Sequence, residues 1–192
     1  YARHKLRQLR LAGQANVSLT LRAEEKKDSM LTVRGANKVE VNVLLDIYIE
    51  KVKWLRLQNK TLWDESQFTL EALTEKYEEP IFYIGYIDEE VIGGFILLEQ
   101  DRIYWPDKVN GDAYYFHKFV IKNEYCGKGY SDKMINWVKK HGKENTKKYI
   151  RLDYDGNRKP IRELYTRNGF VPVETISNSN TSRLVKAEYL IN

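Results

Sequence analysis

The stretch YYFHKFVIKNEYCGKGY, Tyr114 to Tyr130, carries the strongest fold signal in the sequence. Its first part, Tyr114 to Ile121, is rich in aromatic and β-branched residues and predicts a strand. The glycine-rich turn Cys126-Gly127-Lys128-Gly129 follows, and the next residues predict an amphipathic helix from Ser131. A strand that ends in such a turn favours phosphate binding, because the first N–H groups of a helix have no intrahelical partner.

Upstream of this stretch, the hydrophobic pattern predicts a strand, two helices and a hairpin. After a short strand at residues 31–35, apolar residues from Val41 to Leu55 recur at helical spacing. A second helical segment covers residues 67–77. Two β-rich runs follow, Ile81 to Ile87 and Val91 to Leu98, and the polar residues between them predict a hairpin turn.

Downstream, the same reasoning predicts a strand from Tyr149 to Asp153, then a helix that begins near Pro160 and ends at Gly169. Two last strands, at residues 170–176 and 183–191, complete the chain. The order β-α-α-β-β-β-α-β-α-β-β predicts a single mixed α/β (α+β) domain, in which about four helices flank a mostly antiparallel sheet of about seven strands.

Composition narrows the class of protein. The 192 residues are 42% hydrophobic and 12% aromatic, which predicts a globular chain. No apolar run approaches the ~18 residues of a membrane span, so no membrane partner is expected. Cys126 is the single cysteine and no Cys/His cluster has zinc spacing, so neither a disulfide framework nor a metal is expected. A reducing, cytoplasmic setting is the resulting prediction.

The net charge of +5 is concentrated at one end of the chain. Seven basic and three acidic side chains give residues 1–29 a charge of +4, which leaves about +1 for residues 30–192. That balance argues against a nucleic-acid partner for the main domain. We therefore predict an N-terminal basic extension at residues 1–29 and a compact domain at residues 30–192.

Two segments resemble the GNAT superfamily of acyl-CoA-dependent N-acyltransferases. One is the turn CGKGYS at residues 126–131 and the other is NRKPIRELYTRNGF at residues 157–170. The family turn is R/Q-x-x-G-x-G/A, which places its central glycine at Gly129. Cys126 then replaces Arg or Gln, and Ser131 replaces the last Gly or Ala. A shifted register that begins at Glu124 also satisfies both glycines, but we prefer the first.

The resemblance implies acetyl-CoA as co-substrate. Its pyrophosphate would lie on backbone N–H groups of the turn, so that side chains matter less there. An Asn that contacts the pantetheine arm is expected seven residues before a catalytic Tyr, whereas Asn157 lies eight before Tyr165 and Arg158 fills the ungapped position. The cofactor-binding residues implied are Phe119, Val120, Ile121, Cys126, Gly127, Lys128, Gly129, Tyr130, Ser131 and Asn157.

The resemblance also implies the chemistry, which is direct transfer of an acetyl group from acetyl-CoA to a primary amine. Tyr165 lies four residues before Gly169-Phe170 and matches the family Tyr proposed to protonate the departing thiolate. His117 is our candidate for the base, because it lies on the central strand and imidazole titrates near neutrality. Core packing of Tyr165 and a hydrogen-bonded sheet role for His117 are the structural alternatives.

The acceptor is predicted from weaker signals. In the family the first two helices and nearby loops shape the acceptor pocket, which makes Trp54, Trp63 and Trp105 candidate substrate-binding residues. Acidic Asp64, Glu65 and Asp107 could attract a cationic amine, although exposed carboxylates are usually solvated surface. We expect a small amine or an amino-acid-like acceptor, with a protein or peptide amine as the alternative.

Two other classes of function stay open. The domain could bind acyl-CoA without turnover, as a sensor, or residues 1–29 could act as a nucleic-acid-binding arm. The sequence also leaves open whether the protein is a monomer or a homodimer.

Overall fold

A computed structural model of the chain describes residues 30–60, 63–179 and 182–192. The predicted extension at residues 1–29 lies outside the described residues. Within them, no helix has both the length and the apolar character that a membrane span requires.

The described elements follow the predicted order. In chain order they are β1 (Leu31–Gly35), α1 (Lys38–Leu57), α2 (Leu70–Lys76), β2 (Ile81–Ile87), β3 (Glu90–Leu98), β4 (Ala113–Ile121), α3 (Tyr130–Glu144), β5 (Tyr149–Asp155), α4 (Lys159–Arg167), β6 (Val171–Ser179) and β7 (Ser182–Leu190).

One boundary differs from the prediction by several residues. The segment expected to be helical from residue 67 begins instead with a 3-10 turn, Glu65–Gln67, which is capped by the Asp64 side chain. The Thr69 side chain then accepts a hydrogen bond from the N–H of Ala72, at 3.0 Å, and α2 starts only at Leu70. The polar caps therefore override the helical periodicity that begins earlier in the sequence.

The strands form one mixed sheet in the order β1-β2-β3-β4-β5-β7-β6. Every neighbouring pair is antiparallel except β4 and β5. These two strands pair only from Ala113↔Tyr149 to Tyr115↔Arg151 and then separate. The opening between residues 116–121 of β4 and residues 152–155 of β5 is called the fork below. The predicted mostly antiparallel seven-stranded sheet is confirmed.

Both faces of the sheet are covered by helices. Met134 and Val138 of α3 and Leu164 of α4 are buried in one hydrophobic cluster. A second cluster buries Leu44 of α1 and Leu73 of α2. Each fully buried aliphatic side chain contributes about 1.5–3 kcal/mol to the free energy of unfolding, so the two layers stabilise the sheet from both faces.

A β-bulge in β4 changes which side chains face each layer. Gly94 pairs with Val120 and Ile96 pairs with His117, so Lys118 and Phe119 together oppose Phe95. Lys118 has a φ of 52°, which an L residue adopts rarely. The extra residue interrupts the ladder of backbone hydrogen bonds beside the fork.

The bulge places two consecutive polar side chains on the α1/α2 face. The His117 ring lies 5.0 Å from the Tyr77 ring, and the Lys118 ammonium lies 5.0 Å from the centre of the Trp63 ring. Phe119 instead lies 5.2 Å from Phe116, in the layer under α3. Without the extra residue, simple alternation would place His117 and Lys118 on opposite faces.

Candidate active site

A cavity of about 370 Å³ lies at the fork. Its walls come from both helical layers and from the two separated strands, and it contains most of the polar side chains described below. This fork cavity has the size expected of a small-ligand site, of roughly 300–1,000 Å³.

His117 and two carboxylates meet in the α1/α2 side of the fork. The Nε2 atom of His117 lies 2.8 Å from Oδ2 of Asp101, and both side chains are almost fully buried. Its Nδ1 atom lies 3.5 Å from Oδ1 of Asp153 across the fork, too far for a strong hydrogen bond. The same Oδ1 atom of Asp153 is buried and has no hydrogen-bond partner.

The two carboxyl groups differ in acidity. Burial raises the pKa of Asp153, and the nearby charge of Asp101 adds to that effect. Burial would also raise the pKa of Asp101, but the hydrogen bond and the charge of His117 outweigh it and hold that pKa below its usual value. Asp101 therefore remains an ionised partner that fixes the His117 ring.

This arrangement leaves a free acceptor that points toward Asp153. A neutral His117 that donates Nε2–H to Asp101 carries its lone pair on Nδ1. Nδ1 and the unpartnered Oδ1 of Asp153, 3.5 Å apart, then offer two hydrogen-bond acceptors to one donor group that approaches both. A protonated amine is such a group, and the Nδ1 atom can accept its proton.

Tyr165 of α4 lines the same cavity. Its ring packs against Tyr154 at 5.4 Å and Phe170 at 5.6 Å, and the residue is 8% exposed. Burial raises the pKa of its hydroxyl, and the charge of Asp153 adds to this. The hydroxyl therefore keeps its proton at neutral pH and can donate it. The structure brings the two predicted catalytic residues, Tyr165 and His117, into one cavity.

The glycine turn, residues 126–129, precedes α3 directly. Gly127 and Gly129 have φ values of 76° and 79°, and a Cβ atom on either would meet nothing within 4 Å. Gly129 is the N-cap of α3 and no side chain caps this helix end. The glycines are therefore required by backbone conformation, and the first N–H groups of α3 are left to other partners.

The other predicted cofactor residues divide into three environments. Phe119 lines the fork cavity, whereas Val120 and Ile121 are buried in the two hydrophobic layers. Cys126, Lys128 and the half-buried Tyr130 and Ser131 surround the start of α3. Asn157 is exposed in the turn after β5, and its N–H donates to Asp155. Arg158, at the ungapped position, lines the cavity.

The three tryptophans predicted to bind substrate lie in different places. Trp63 lines the fork cavity and packs against Phe68. Trp54 is 40% exposed on α1, under the Lys51 ammonium. Trp105 is buried and lies over the guanidinium of Arg151, beside a separate hollow between its own loop and the strands β6 and β7. The structure brings Trp63 alone of the three together with His117 and Tyr165.

Asp101, Asp153 and Lys118 were not singled out from the sequence, although the two carboxylates lie beside the His117 ring and Lys118 follows it on β4 in the wall of the same cavity. Asp153 is the last residue of the predicted strand Tyr149 to Asp153, and an acidic residue at the end of a strand was the available signal. In the described residues, Asp101, His117 and Asp153 offer ligand atoms within 4.8 Å of one another and could hold a metal ion. The expected absence of a metal therefore stays a prediction.

A protein-family model described as the acetyltransferase (GNAT) family matches residues 49–170, more than half of the chain. The chain belongs to the GNAT family. The resemblance drawn from residues 126–131 and 157–170 is thereby confirmed, and with it the assignment of the protein to the acyltransferases. No curated protein sequence matches the chain significantly.

Solved structures resemble the GNAT domain at low identity. A GNAT-family acetyltransferase from Listeria monocytogenes has a TM-score of 0.63 and 20% identity, over 83% of this chain and 94% of that one. Spermidine N-acetyltransferase from Vibrio cholerae, in complex with CoA and spermine, has a TM-score of 0.59 and 18% identity, over 85% and 97%. The ribosomal-protein-S18-alanine N-acetyltransferase from Escherichia coli has a TM-score of 0.60 and 11% identity, over 84% and 94%. These similarities show a shared fold alone.

Proposed function

We propose that this GNAT protein transfers the acetyl group of acetyl-CoA directly to a primary amine of a small molecule. The observation that carries the proposal is that His117 of β4, Asp153 of β5 and Tyr165 of α4 all line the fork cavity. A base, a carboxylate and an acid are the groups that amine acetylation needs.

The residues present fit acetyl-CoA. The open space over Gly127 and Gly129 allows close approach of a phosphate to the backbone, and the uncapped start of α3 favours an anion. The separated strands at the fork leave backbone edges for an extended pantetheine arm. When bound, acetyl-CoA supplies an acyl group on a good leaving thiolate. Cys126 and Ser131 do not conflict with this fit, because the turn acts through its backbone.

His117 removes the proton that prevents the amine from reacting. An alkylamine has a pKa near ~10 and is mostly protonated at pH 7. The ammonium donates to Asp153 and to Nδ1 of His117, and the proton passes to Nδ1. Asp101 acts as a positioning residue, since it holds Nε2 and stabilises the charged ring.

The bulge and Tyr165 act on the thioester, whereas His117 acts on the amine. A backbone N–H released from the ladder at Lys118-Phe119 is our candidate for stabilising negative charge on the thioester oxygen. As the C–N bond forms and the C–S bond breaks, the Tyr165 hydroxyl donates its proton to the thiolate that leaves, and the second proton that the nitrogen loses on forming the amide returns to the Tyr165 oxygen.

A small-molecule acceptor is favoured over a protein by the shape of the site. Trp63, Tyr77 and Tyr104 wall the α1/α2 side of the cavity and limit the space for a peptide. Relatives of this fold act on spermidine and on a ribosomal-protein alanine, so the fold allows either class. We retain the cytoplasmic setting as a proposal that rests on the exposed free Cys126.

The test is an amine panel with acetyl-CoA, in which CoA release and the N-acetylated product are measured together by thiol assay and mass spectrometry. We expect both products in equal amounts. Acetyl-CoA that raises the melting temperature, with no acetylated amine above background, would support a sensor instead.

A further inference from the structure

Two lysines share the α1/α2 wall of the fork cavity. Lys118 lies on the β4 bulge with its ammonium 5.0 Å from the Trp63 ring and 5.1 Å from the Phe68 ring. The Lys76 ammonium, at the end of α2, lies 5.4 Å from the Tyr104 ring and donates to the Tyr104 hydroxyl at 3.3 Å. We call Lys76 and Lys118 the lysine pair.

In the described residues the charge of Asp153 acts on both ammonium groups of the lysine pair, but no carboxylate lies within ion-pair distance of either. In the part of the chain that the structure describes, neither ammonium forms an ion pair with Asp or Glu, and the nearest polar contact of Lys118 is Gln67 Oε1 at 3.5 Å. Burial, together with repulsion by Lys76, lowers the pKa of Lys118 to about 8. A half-buried charge with a like charge beside it is costly unless a partner neutralises it.

Acidic groups other than Asp153 form their contacts elsewhere. Glu65, expected from the sequence to attract a cation, accepts a hydrogen bond from the Arg56 guanidinium at 2.9 Å. The Asp64 carboxylate accepts hydrogen bonds from the N–H and the hydroxyl of Ser66 in the 3-10 turn. Asp155 on the opposite wall lies 3.4 Å from Arg158. Asp153 attracts the lysine pair without an ion pair to either member, so the anion that would bind the pair directly is sought in a bound molecule.

Groups of the opposite polarity line the same cavity. Asp153, whose Oδ1 is unpartnered, and Nδ1 of His117 accept hydrogen bonds at the fork. The cavity thus contains both hydrogen-bond acceptors for an ammonium and donors for an anion. A polyamine would place a second cation beside the lysine pair, which is unfavourable.

We propose that the acceptor is a dipolar amine, in which a carboxylate or phosphate a few bonds from the reactive amine is held by Lys118 and Lys76. This inference rests on the proposed function of the cavity, and it replaces the broad class of small primary amines with amino acids and amino phosphates. The aromatic rings of Trp63, Tyr77 and Tyr104 would contact the rest of such a molecule.

The experiment compares acceptors that differ in the anion alone. Each α-amino acid is paired with its carboxamide, and O-phosphoethanolamine is paired with ethanolamine, with spermidine as the polyamine. Binding to the full chain saturated with CoA is measured by calorimetry, and kcat/KM is measured with acetyl-CoA. We expect at least one acid to have an affinity and a kcat/KM about tenfold or more above those of its neutral partner, because a hydrogen bond to a charged group can contribute that much. The two pairs distinguish a carboxylate from a phosphate.

Variants assign the preference to the lysines. Lys118→Met should reduce the ratio of acid to neutral partner to within about twofold, chiefly through KM, and Lys118→Arg should restore most of it. Lys140→Met is the matched control, because Lys140 is exposed on α3 and pairs with Glu144 at 3.7 Å. It should leave the ratio unchanged.

The outcomes separate this inference from the proposed function. Acids that bind better than neutral partners but are never acetylated would support the dipolar ligand and contradict acetyl transfer. Acetylation of acids, neutral partners and spermidine at similar kcat/KM, or a Lys118→Met variant that weakens acid and neutral partner equally, would overturn the inference and leave acetyl transfer intact.

Discussion

The glycine turn and the α1/α2 side of the fork are built from different groups. The turn presents backbone N–H groups, and its glycines are fixed by φ values of 76° and 79°. The α1/α2 side instead presents side chains that converge from β4, β5, α2 and the loop containing Asp101. The first region should tolerate changes of side chain and resist changes of backbone conformation, whereas the second should depend on individual atoms.

The largest effect is expected from His117→Gln, on the α1/α2 side of the fork, where the site depends on side chains. Loss of a general base lowers kcat by about 10²–10⁴-fold, while the dissociation constant of acetyl-CoA should change little. Steady-state kinetics and calorimetry measure both. His141→Gln is the control, because His141 packs between Trp137 and Tyr114 outside the cavity. A kcat within twofold of wild type for His117→Gln would contradict the assignment of the base.

Gly129→Val tests the glycine turn, which presents backbone N–H groups. A β-branched residue at positive φ costs about 1–2 kcal/mol, which corresponds to about 5- to 30-fold weaker binding if the turn must keep its conformation. Calorimetry with acetyl-CoA measures this change. An unchanged affinity would mean that the turn does not hold the cofactor.

Lys118→Met should raise the free energy of unfolding and lower the affinity for acceptors that carry an anion. Because folding lowers the pKa of Lys118 from 10.5 to about 8, the protonated lysine destabilises the fold below pH 8. This penalty declines as pH rises from about 8 toward 10.5, where both states are neutral. At pH 7 the variant should melt about 2–4 °C higher, a shift typical of about 1 kcal/mol.

The groups facing Lys118 are Trp63, Phe68, Gln67, Lys76 and the carboxylate of Asp153. Thermal melts at pH 7 and pH 10.5 measure the effect, with Lys140→Met as the reference. The difference between Lys118→Met and wild type should shrink at the higher pH, and a difference that grows would contradict the buried-charge explanation.

The smallest effect is expected from side-chain changes in the turn. Cys126→Arg and Ser131→Gly restore the family residues, but the contacts come from the backbone, so the affinity for acetyl-CoA should change by less than about threefold. A larger gain for Cys126→Arg would show that a side chain contributes to the turn after all. The same calorimetric titration as for Gly129→Val provides the measurement.

The sequence supports prediction of the fold more completely than of the site. Local periodicity, glycines and Pro160 define the element order, because each of these signals acts within a few residues. The turn and Tyr165 were found in the same way, with the help of family motifs. The late start of α2 was missed because the caps at Asp64 and Thr69 outweigh the periodicity there.

The α1/α2 side of the fork could not be predicted in this way. Asp101 reaches His117 from a loop, and Asp153 opposes it only because β4 and β5 separate two residues earlier. The bulge that turns Lys118 toward the cavity is a one-residue shift of register, which apolar alternation does not reveal. These contacts depend on strand pairing and therefore require the structure.

The most direct test of acetyl transfer at the fork is single-turnover kinetics of Tyr165→Phe with acetyl-CoA and an accepted amine. The substitution removes one hydroxyl from the cavity wall and preserves the packing of the ring against Tyr154 and Phe170. We predict that the rate of acetyl transfer falls by about tenfold or more, with an unchanged dissociation constant for acetyl-CoA. A transfer rate equal to that of the wild type would contradict the role of Tyr165 as the acid.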